Sequence, residues 1–448
     1  MAESKEYQEL SESFAVLSVY ADDVQPKDTE CGIKKEGIKL QFKKSIRSVS
    51  KINNHPRSIN RFHPTLAVLA CGVNREVILL SAADGCIPFE DWKESQVKLQ
   101  KRPTSDDEFT YFAAIEWNVQ GTQLAVGDDN GGLIVWSYPK GEILFQAKEH
   151  TAYSVVGDIQ WNPFRHDVLS TWNPNEKKLL LWRSSSDTNL FDVFEYEVKI
   201  KGVVWISENQ IALALQTGLI EIFKIDGSQP KTGTRIVMRL QHETNSYMTG
   251  GILWSEKTKY LATCSRDGWI KIWSLAKDQP IYSLKCHSGC WIGCFAKTDN
   301  GSAFGLEDGS IAIWSPLGKT EQSRHRILSI CAENDVIVDS LSFSQDGRLL
   351  ASLVRDNDGN QLITWSAQTW MPVFINRIHL YHPYWLSWLN MESSADPCYK
   401  ISVPQHVNRQ NEVTYVYLNS SKAETKNGLQ KYLGLIIFLM KNAIVRLN

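Results

Sequence analysis

The sequence predicts an all-β ring: a β-propeller of eight four-stranded antiparallel blades, with seven as the alternative count. Three observations carry this. Short strand-type segments ending in a large apolar residue recur at Leu80, Trp136, Trp182, Phe223, Trp273, Trp314, Trp365 and Leu418, spaced 56, 46, 41, 50, 41, 51 and 53 residues apart. Their mean period of about 48 is close to that of propeller blades with loop insertions. A second aromatic ends an earlier strand in each unit, at Phe62, Trp117, Trp161, Trp205, Trp254, Phe295, Phe343 and Trp388, and all but the last lie 18 to 22 residues before their partners. Between the two lie a polar turn and a strand of small residues, as in NVQGTQLAVG and SEKTKYLATC.

Each unit therefore reads as strand, turn, small-residue strand, tight turn, apolar strand. A single such sheet cannot bury both of its faces, whereas blades stacked radially cover one another and leave only short edges. The third strands LIVW, LLLW and IAIW are apolar at every position, which fits a strand covered on both sides. An ordinary sandwich needs no fixed period of this length.

Composition narrows the class further. The 448 residues carry 48 Lys plus Arg against 50 Asp plus Glu, a net charge of −2. Such a balance gives no whole-chain attraction to nucleic acid or to an anionic membrane. Nine cysteines, odd in number and scattered, together with an acidic start, MAESKEYQELSESF, read as an intracellular chain. The apolar run at 433–440 is too short to span a bilayer and is followed at once by Lys441.

The organisation expected is a flexible acidic extension over 1–35, a basic segment over 36–56, the propeller over 57–418 and a tail over 419–448 with an apolar segment. Residues 1–30 hold eight acidic side chains and two Lys; Lys34, Lys35, Lys39, Lys43, Lys44 and Arg47 then reverse the sign. Ile38, Leu40 and Phe42 alternate with polar residues, the pattern of a half-buried strand. This segment is expected to pair into the last blade and shut the ring, with the segment 432–440 as its competitor for that edge. The stretch from Ser81 to Glu108 is expected to be a solvated loop of mixed charge.

The unit over 240–275, LQHETNSYMTGGILWSEKTKYLATCSRDGWIKIWSL, resembles the WD40 repeat family almost throughout. His242 stands before the first strand, Asp267-Gly268 between the second and third, and Trp273 at the end of the third. The next unit is similar, with His287, Asp308, Gly309 and Trp314. The resemblance implies a relay from turn Asp to loop His, from His to a strand hydroxyl, Thr263 or Ser265, and from hydroxyl to the indole of Trp273. Such buried polar groups each need a partner. An Asp, a His and a hydroxyl also describe a hydrolase triad, but with Trp closing the chain a structural role is expected. Asn130, Glu176 and Thr217 stand where the family prefers Asp, so the relay is expected to be weakened in those blades.

Cys286, Cys290 and Cys294 flank His287 at a spacing unlike structural zinc knuckles, and no phosphate-loop, dinucleotide, zincin or nucleophile-elbow motif occurs. Neither an enzyme, a cofactor nor a metal is expected. The expected partners are other proteins, with no nucleic acid, membrane or small-molecule substrate.

In the family the His loop and the Asp turn share one face around the channel. Large side chains there are the candidate docking residues, because Trp, Tyr and Arg dominate interface energetics: Tyr153, Tyr247, Trp291, Arg266 and Arg355. Asp356 and Asp358 form an acidic pair that a basic peptide would use.

More narrowly, AAIEWNVQGTQLAVGDDNGGLIVW, the relay-free unit around VKIKGVVWISENQIALALQTGLIEIFKI, and LATCSRDGWIKIWSLAKDQPIYSLKCH resemble the transducin-β-like, Ebi-type corepressor subunits. That implies a nuclear scaffold in a histone-deacetylase corepressor assembly. The first 56 residues depart from the pattern, being too short for that group's N-terminal dimerisation and helical modules. A reader of a modified or basic peptide, such as a histone tail, and a substrate receptor of a ubiquitin ligase are the alternatives.

Overall fold

The computed structural model describes the strands and most of the turns between residues 59 and 403, together with the strands Ser11–Asp22 and Lys39–Lys51. The chain is an all-β propeller of four-stranded antiparallel sheets. Among the described residues seven blades are each built from consecutive strands, the alternative count given above; one further four-stranded sheet is composite.

Blade 1 comprises Ile59–Phe62, Val68–Val73, Glu76–Ser81 and an outer strand in two pieces, Lys93–Glu94 and Leu99–Gln100. Blade 2 comprises Phe112–Trp117, Gln123–Asp128, Gly132–Ser137 and Ile143–Lys148. Blade 3 follows with Asp158–Trp161, Val168–Trp172, Lys178–Arg183 and Leu190–Glu195. Blade 4 is Ile200–Ser207, Gln210–Leu215, Leu219–Lys224 and Arg235–Gln241. Blade 5 is Met248–Ser255, Tyr260–Ser265, Trp269–Ser274 and Pro280–Lys285. Blade 6 is Ile292–Thr298, Gly301–Leu306, Ser310–Trp314 and His325–Ser329. Blade 7 is Ile337–Phe343, Leu349–Asp356, Gly359–Ser366 and Pro372–Ile378.

The core lies in the seams between blades. Leu124, Val126, Ile134 and Trp136 of blade 2 pack with Val68, Ala70 and Leu79 of blade 1. Their strand neighbours Ala125, Leu133 and Val135 pack instead with Ile159, Leu169 and Trp182 of blade 3. The two-residue period of a strand thus divides one continuous apolar run between two seams. The same division repeats from blade 3 to blade 7. Each third-strand aromatic, Trp136, Trp182, Trp273, Trp314 and Trp365, faces the blade before it. This shared burial makes each sheet dependent on its neighbours.

Turn glycines complete the blades. Gly131, Gly218, Gly268 and Gly309 stand five residues before their third-strand aromatics, with φ of 81°, 82°, 80° and 74°, the left-handed conformation that the hairpin demands.

The composite sheet runs, from the outside in, Lys39–Lys51, Ser11–Asp22, Pro397–Val403 and Ser387–Glu392. Its inner strand lies against the inner strands of both blade 7 and blade 1. The basic segment does join the last sheet, but as its outer edge. The strand beside Pro397–Val403 comes from the acidic extension, where Ala15–Tyr20 pair with Cys398–Val403. The flexible reading of 1–35 is therefore corrected over Ser11–Asp22: FAVLSVYA is a strand sequence, and the acidic residues flank it. The segment VTYVYL that ends at Leu418, and the tail over 419–448, lie outside the described residues.

A second correction concerns the insertion after Ser81. Trp92 and Leu99 are each 1% exposed, and the strand pieces on either side pair with Glu76–Ser81. Within the insertion, Lys93–Glu94 and Leu99–Gln100 form the outer strand of blade 1, anchored by Trp92 against Phe62.

Candidate functional site

Among the described residues, two relays that join an imidazole to a buried indole lie inside the blades. In blade 5, Trp273 Nε1 donates to Thr263 Oγ1 at 2.8 Å, and that hydroxyl meets His242 Nε2 at 2.6 Å. All three are almost fully buried, and Thr263 rather than Ser265 carries the link to the indole. Asp267, the expected fourth member, lies outside the described residues.

Blade 3 holds a fuller relay than its sequence promises. Trp182 Nε1 donates to Thr171 Oγ1 at 2.8 Å; Thr171 is 3.0 Å from His150 Nε2, and His150 Nδ1 is 2.5 Å from Glu176 Oε2. The hydroxyl accepts from the indole; with Nδ1–H donating to the carboxylate, a neutral imidazole takes the hydroxyl proton at Nε2. The expectation that Glu176 weakens this blade is corrected. Glutamate, one methylene longer than Asp, reaches His150 Nδ1 from a turn that lacks Gly.

The strand hydroxyl decides which blades have a relay. Thr171, Thr263 and Ser352 each stand two residues after the cross-strand partner of the blade tryptophan. Ser352 accepts from Trp365 Nε1 at 2.9 Å. The same register is filled by Val126 in blade 2 and Phe304 in blade 6. There the indoles of Trp136 and Trp314 are buried with no hydrogen-bond partner among the described residues. The relay implied for Trp314 thus lacks its hydroxyl; His287 and Asp308 lie outside the described residues.

Blade 4, whose strands carry neither His nor Asp, uses another device. Glu221 is buried in its third strand and accepts from Arg239 Nε at 2.7 Å and from the Tyr196 hydroxyl at 3.3 Å. Tyr196 follows the outer strand of blade 3, so this cluster ties the two blades. Burial and the neighbouring Glu221 push the phenol of Tyr196 well above its usual range.

A third pattern joins blades at their inner strands. Trp117, Trp161 and Trp388 donate through Nε1 to the carbonyls of Arg61, Glu116 and Ser342 at 3.2, 3.1 and 3.0 Å, and Trp205 donates to Gln160 at 3.3 Å. Each acceptor precedes the corresponding aromatic of the blade before. Sequence reading finds these residues by their period but assigns them only to packing.

The candidate docking residues Tyr153, Tyr247, Trp291, Arg266 and Asp358 lie outside the described residues. Asp356 ends a strand of blade 7, opposite Gly359. Arg355, beside it, is bound within its own blade: Nη2 donates to Asp339 Oδ1 at 3.1 Å, and Nε lies 3.1 Å from Oδ2. Cys286 and Cys290 lie outside the described residues, and Cys294 is on the inner strand of blade 6. Among the described residues no group of three or more His, Cys, Asp or Glu is placed to hold a metal, and no helix is long and apolar enough to cross a membrane.

Small radial sheets that share their cores, closed through Trp-capped relays, define a repeat propeller. The family model for the WD domain, G-beta repeat, matches residues 237–274, the unit that contains the blade 5 relay, and the fold is that of a WD40-type β-propeller. The C-terminal WD40 domain of Sif2 superposes with a TM-score of 0.59 at 18% identity, covering 78% of this chain and 96% of that one, a likeness that shows the fold. The chain is similar to the APC/C activator protein CDC20 of Saccharomyces cerevisiae, 25% identical over 195 residues, 44% of this chain and 29% of that protein. It is also similar to Coronin-like protein crn1 of Schizosaccharomyces pombe, 23% identical over 232 residues, 47% of this chain and 35% of the relative. The matched region is thus about a third of the length of these relatives.

Proposed function

We propose that this propeller is a non-catalytic platform on which segments of other proteins dock within a multi-subunit complex. WD40 propellers are in general protein-interaction scaffolds. The observation that supports this role here is the use made of the triad-like groups. His150, Thr171 and Glu176 are all consumed in holding Trp182, and His242 with Thr263 meets Trp273 in the same way. Their hydroxyls accept from an indole inside a blade, so these two groups are not presented to a substrate as nucleophiles.

Docking on the face of the His loops, with Tyr153, Tyr247 and Trp291 as anchors, is the surface we put forward. The specific assembly we put forward is a nuclear corepressor complex, supported by the resemblance of blades 2, 4 and 5 to Ebi-type subunits. Affinity purification of the intact chain tests the platform: a fixed set of partners, depleted by Tyr247→Ala or Trp291→Ala, is the expected outcome, and recovery of the same set from both variants refutes that surface. Proximity labelling tests the assembly. Cytoplasmic or ubiquitin-ligase neighbours in place of nuclear ones would exclude the corepressor while leaving the platform intact.

A further inference from the structure

The turns between the first and second strands of blades 1 to 4 are linked in series. In each of the first three blades the residue after the inner-strand aromatic is a buried polar group: His63 after Phe62, Asn118 after Trp117 and Asn162 after Trp161. Each accepts from its own blade and donates to a carbonyl in the turn of the next. Asn118 Oδ1 accepts from Gln123 N–H at 3.1 Å, and its Nδ2 donates to the His166 carbonyl at 3.0 Å. Asn162 Oδ1 accepts from Phe164 and Arg165 N–H at 2.9 and 3.2 Å, and its Nδ2 donates to the Glu208 carbonyl at 3.0 Å. His63 repeats the pattern with a ring: Nδ1 accepts from Thr65 and Leu66 N–H at 3.1 and 3.0 Å, and Nε2 meets the Gly121 carbonyl at 3.0 Å.

These partners fix the state of the imidazole. A backbone N–H can only donate, so Nδ1 carries a lone pair; a carbonyl can only accept, so Nε2 carries the hydrogen. The ring is therefore the neutral Nε2–H tautomer. A second proton goes onto Nδ1, directly against two N–H groups, and a charged imidazole has no acceptor atom in any orientation. The amides of Asn118 and Asn162 do not titrate, so they keep both roles.

We propose that His63 is a proton-sensitive joint between blades 1 and 2: neutral, it locks the first turn of blade 1 to that of blade 2, and on protonation this lock opens while the two asparagine joints stay shut. The groups around the ring do not offset the added charge. It packs edge-on against Trp117, centroids 4.9 Å apart, and beside Tyr138 at 5.5 Å. Burial raises the Tyr138 phenol, which stays uncharged. On the inner strand of blade 2 the carboxylate is Glu116, ion-paired to Arg61 of the strand that His63 follows. The turn after Tyr138 carries Lys140 and Glu142, both exposed, and the segments 64–73 and 118–122 hold no charged side chain. Burial accordingly holds the His63 ring below the ordinary imidazole value, against the opposing pull of the Gly121 carbonyl.

The direction of the effect follows from linkage. A ring that is harder to protonate folded than unfolded contributes its full stability above the unfolded value of about 6.5, and that contribution is lost as pH falls from there to the folded value. Within this window the unfolding equilibrium rises by up to about tenfold per pH unit from this group.

Full-length protein labelled with ¹⁵N-histidine tests the joint. The ring signals lost in His63→Asn are expected to show Nδ1 bare and Nε2 protonated at pH 8, and to titrate below the ordinary histidine range. Denaturant unfolding between pH 8 and 5 is expected to weaken more steeply with falling pH in the wild type than in His63→Asn, whose amide offers an acceptor and a donor as in blades 2 and 3. A ring protonated at Nδ1 at pH 8, a titration at or above the ordinary range, or equal slopes in the two proteins overturns the proposal. Should His63→Asn fail to fold, the ring is assigned in the wild type through its contact with Gly121, and its tautomer and titration decide the question.

Discussion

Thr171→Val is the sharpest probe of how these blades are held. The substitution keeps the shape of the side chain and removes one oxygen. That oxygen accepts from Trp182 Nε1 at 2.8 Å and contacts His150 Nε2 at 3.0 Å, with all three residues no more than 4% exposed. Two buried polar atoms lose their partners, each at a cost of about 1–3 kcal/mol. The His150–Glu176 bond, at 2.5 Å, keeps the imidazole in place, so relaxation recovers little, and a net loss of about 2–4 kcal/mol is expected. Val126 occupies the same register beside Trp136 in blade 2, so the methyl group itself is tolerated by a blade. Denaturant unfolding measures the loss. A double-mutant cycle with Trp182→Phe isolates the indole bond, because in that background the cost of Thr171→Val falls by about 1–2 kcal/mol. A cost below about 0.5 kcal/mol, or full additivity in the cycle, would refute the relay as a source of stability.

The same logic runs in reverse at Val126→Thr, which offers an acceptor to the buried Trp136 Nε1 and is expected to stabilise by about 0.5–1.5 kcal/mol, read as a raised denaturation midpoint. Gly121→Ala is expected to cost about 3 kcal/mol or more. Gly121 has φ of 70°, a Cβ there would enter the ring of His63, and His63 is fixed by Leu66 N–H at 3.0 Å and by its own bond to the Gly121 carbonyl at 3.0 Å; thermal unfolding checks it. Removing residues 1–22 strips the neighbour from Pro397–Val403, and faster amide exchange over Cys398–Val403 is the expected result; unchanged protection there would mean that another segment fills the place.

The residues that made the ring legible are those that alternate between seams. Trp136, Trp182, Trp273, Trp314 and Trp365 sit at the same strand position because each must fill the gap to the preceding blade, and a requirement that repeats in space repeats in sequence. What stayed hidden depends on register rather than on spacing. The hydroxyl lies 11 residues before Trp182, 10 before Trp273 and 13 before Trp365, so counting does not find it, whereas the strand ladder does. Glu176 departs from the Asp of the family pattern, yet reach and charge are what the imidazole selects. Trp92 was hidden by the Lys and Asp around it, since a broken outer strand with one buried anchor has the composition of a loop.

Closure follows a different logic from repetition. Every internal seam joins two blades that follow one another along the chain, so each is formed by local folding. The composite sheet has no such advantage. Its inner pair, Ser387–Glu392 with Pro397–Val403, comes from one end of the chain, and its outer pair, Ser11–Asp22 with Lys39–Lys51, comes from the other. The entropy of bringing those ends together is spent once for the whole ring. The bond from Trp388 Nε1 to the Ser342 carbonyl repeats on this sheet the staple that joins blades 1 to 2 and 2 to 3. The composite sheet is therefore held to blade 7 by the ordinary inter-blade device, and what distinguishes it is the ladder between Ala15–Tyr20 and Cys398–Val403. Among the described residues that ladder is what pairs the strands from the two ends of the ring, because on either side of it each strand pair is bonded only within itself.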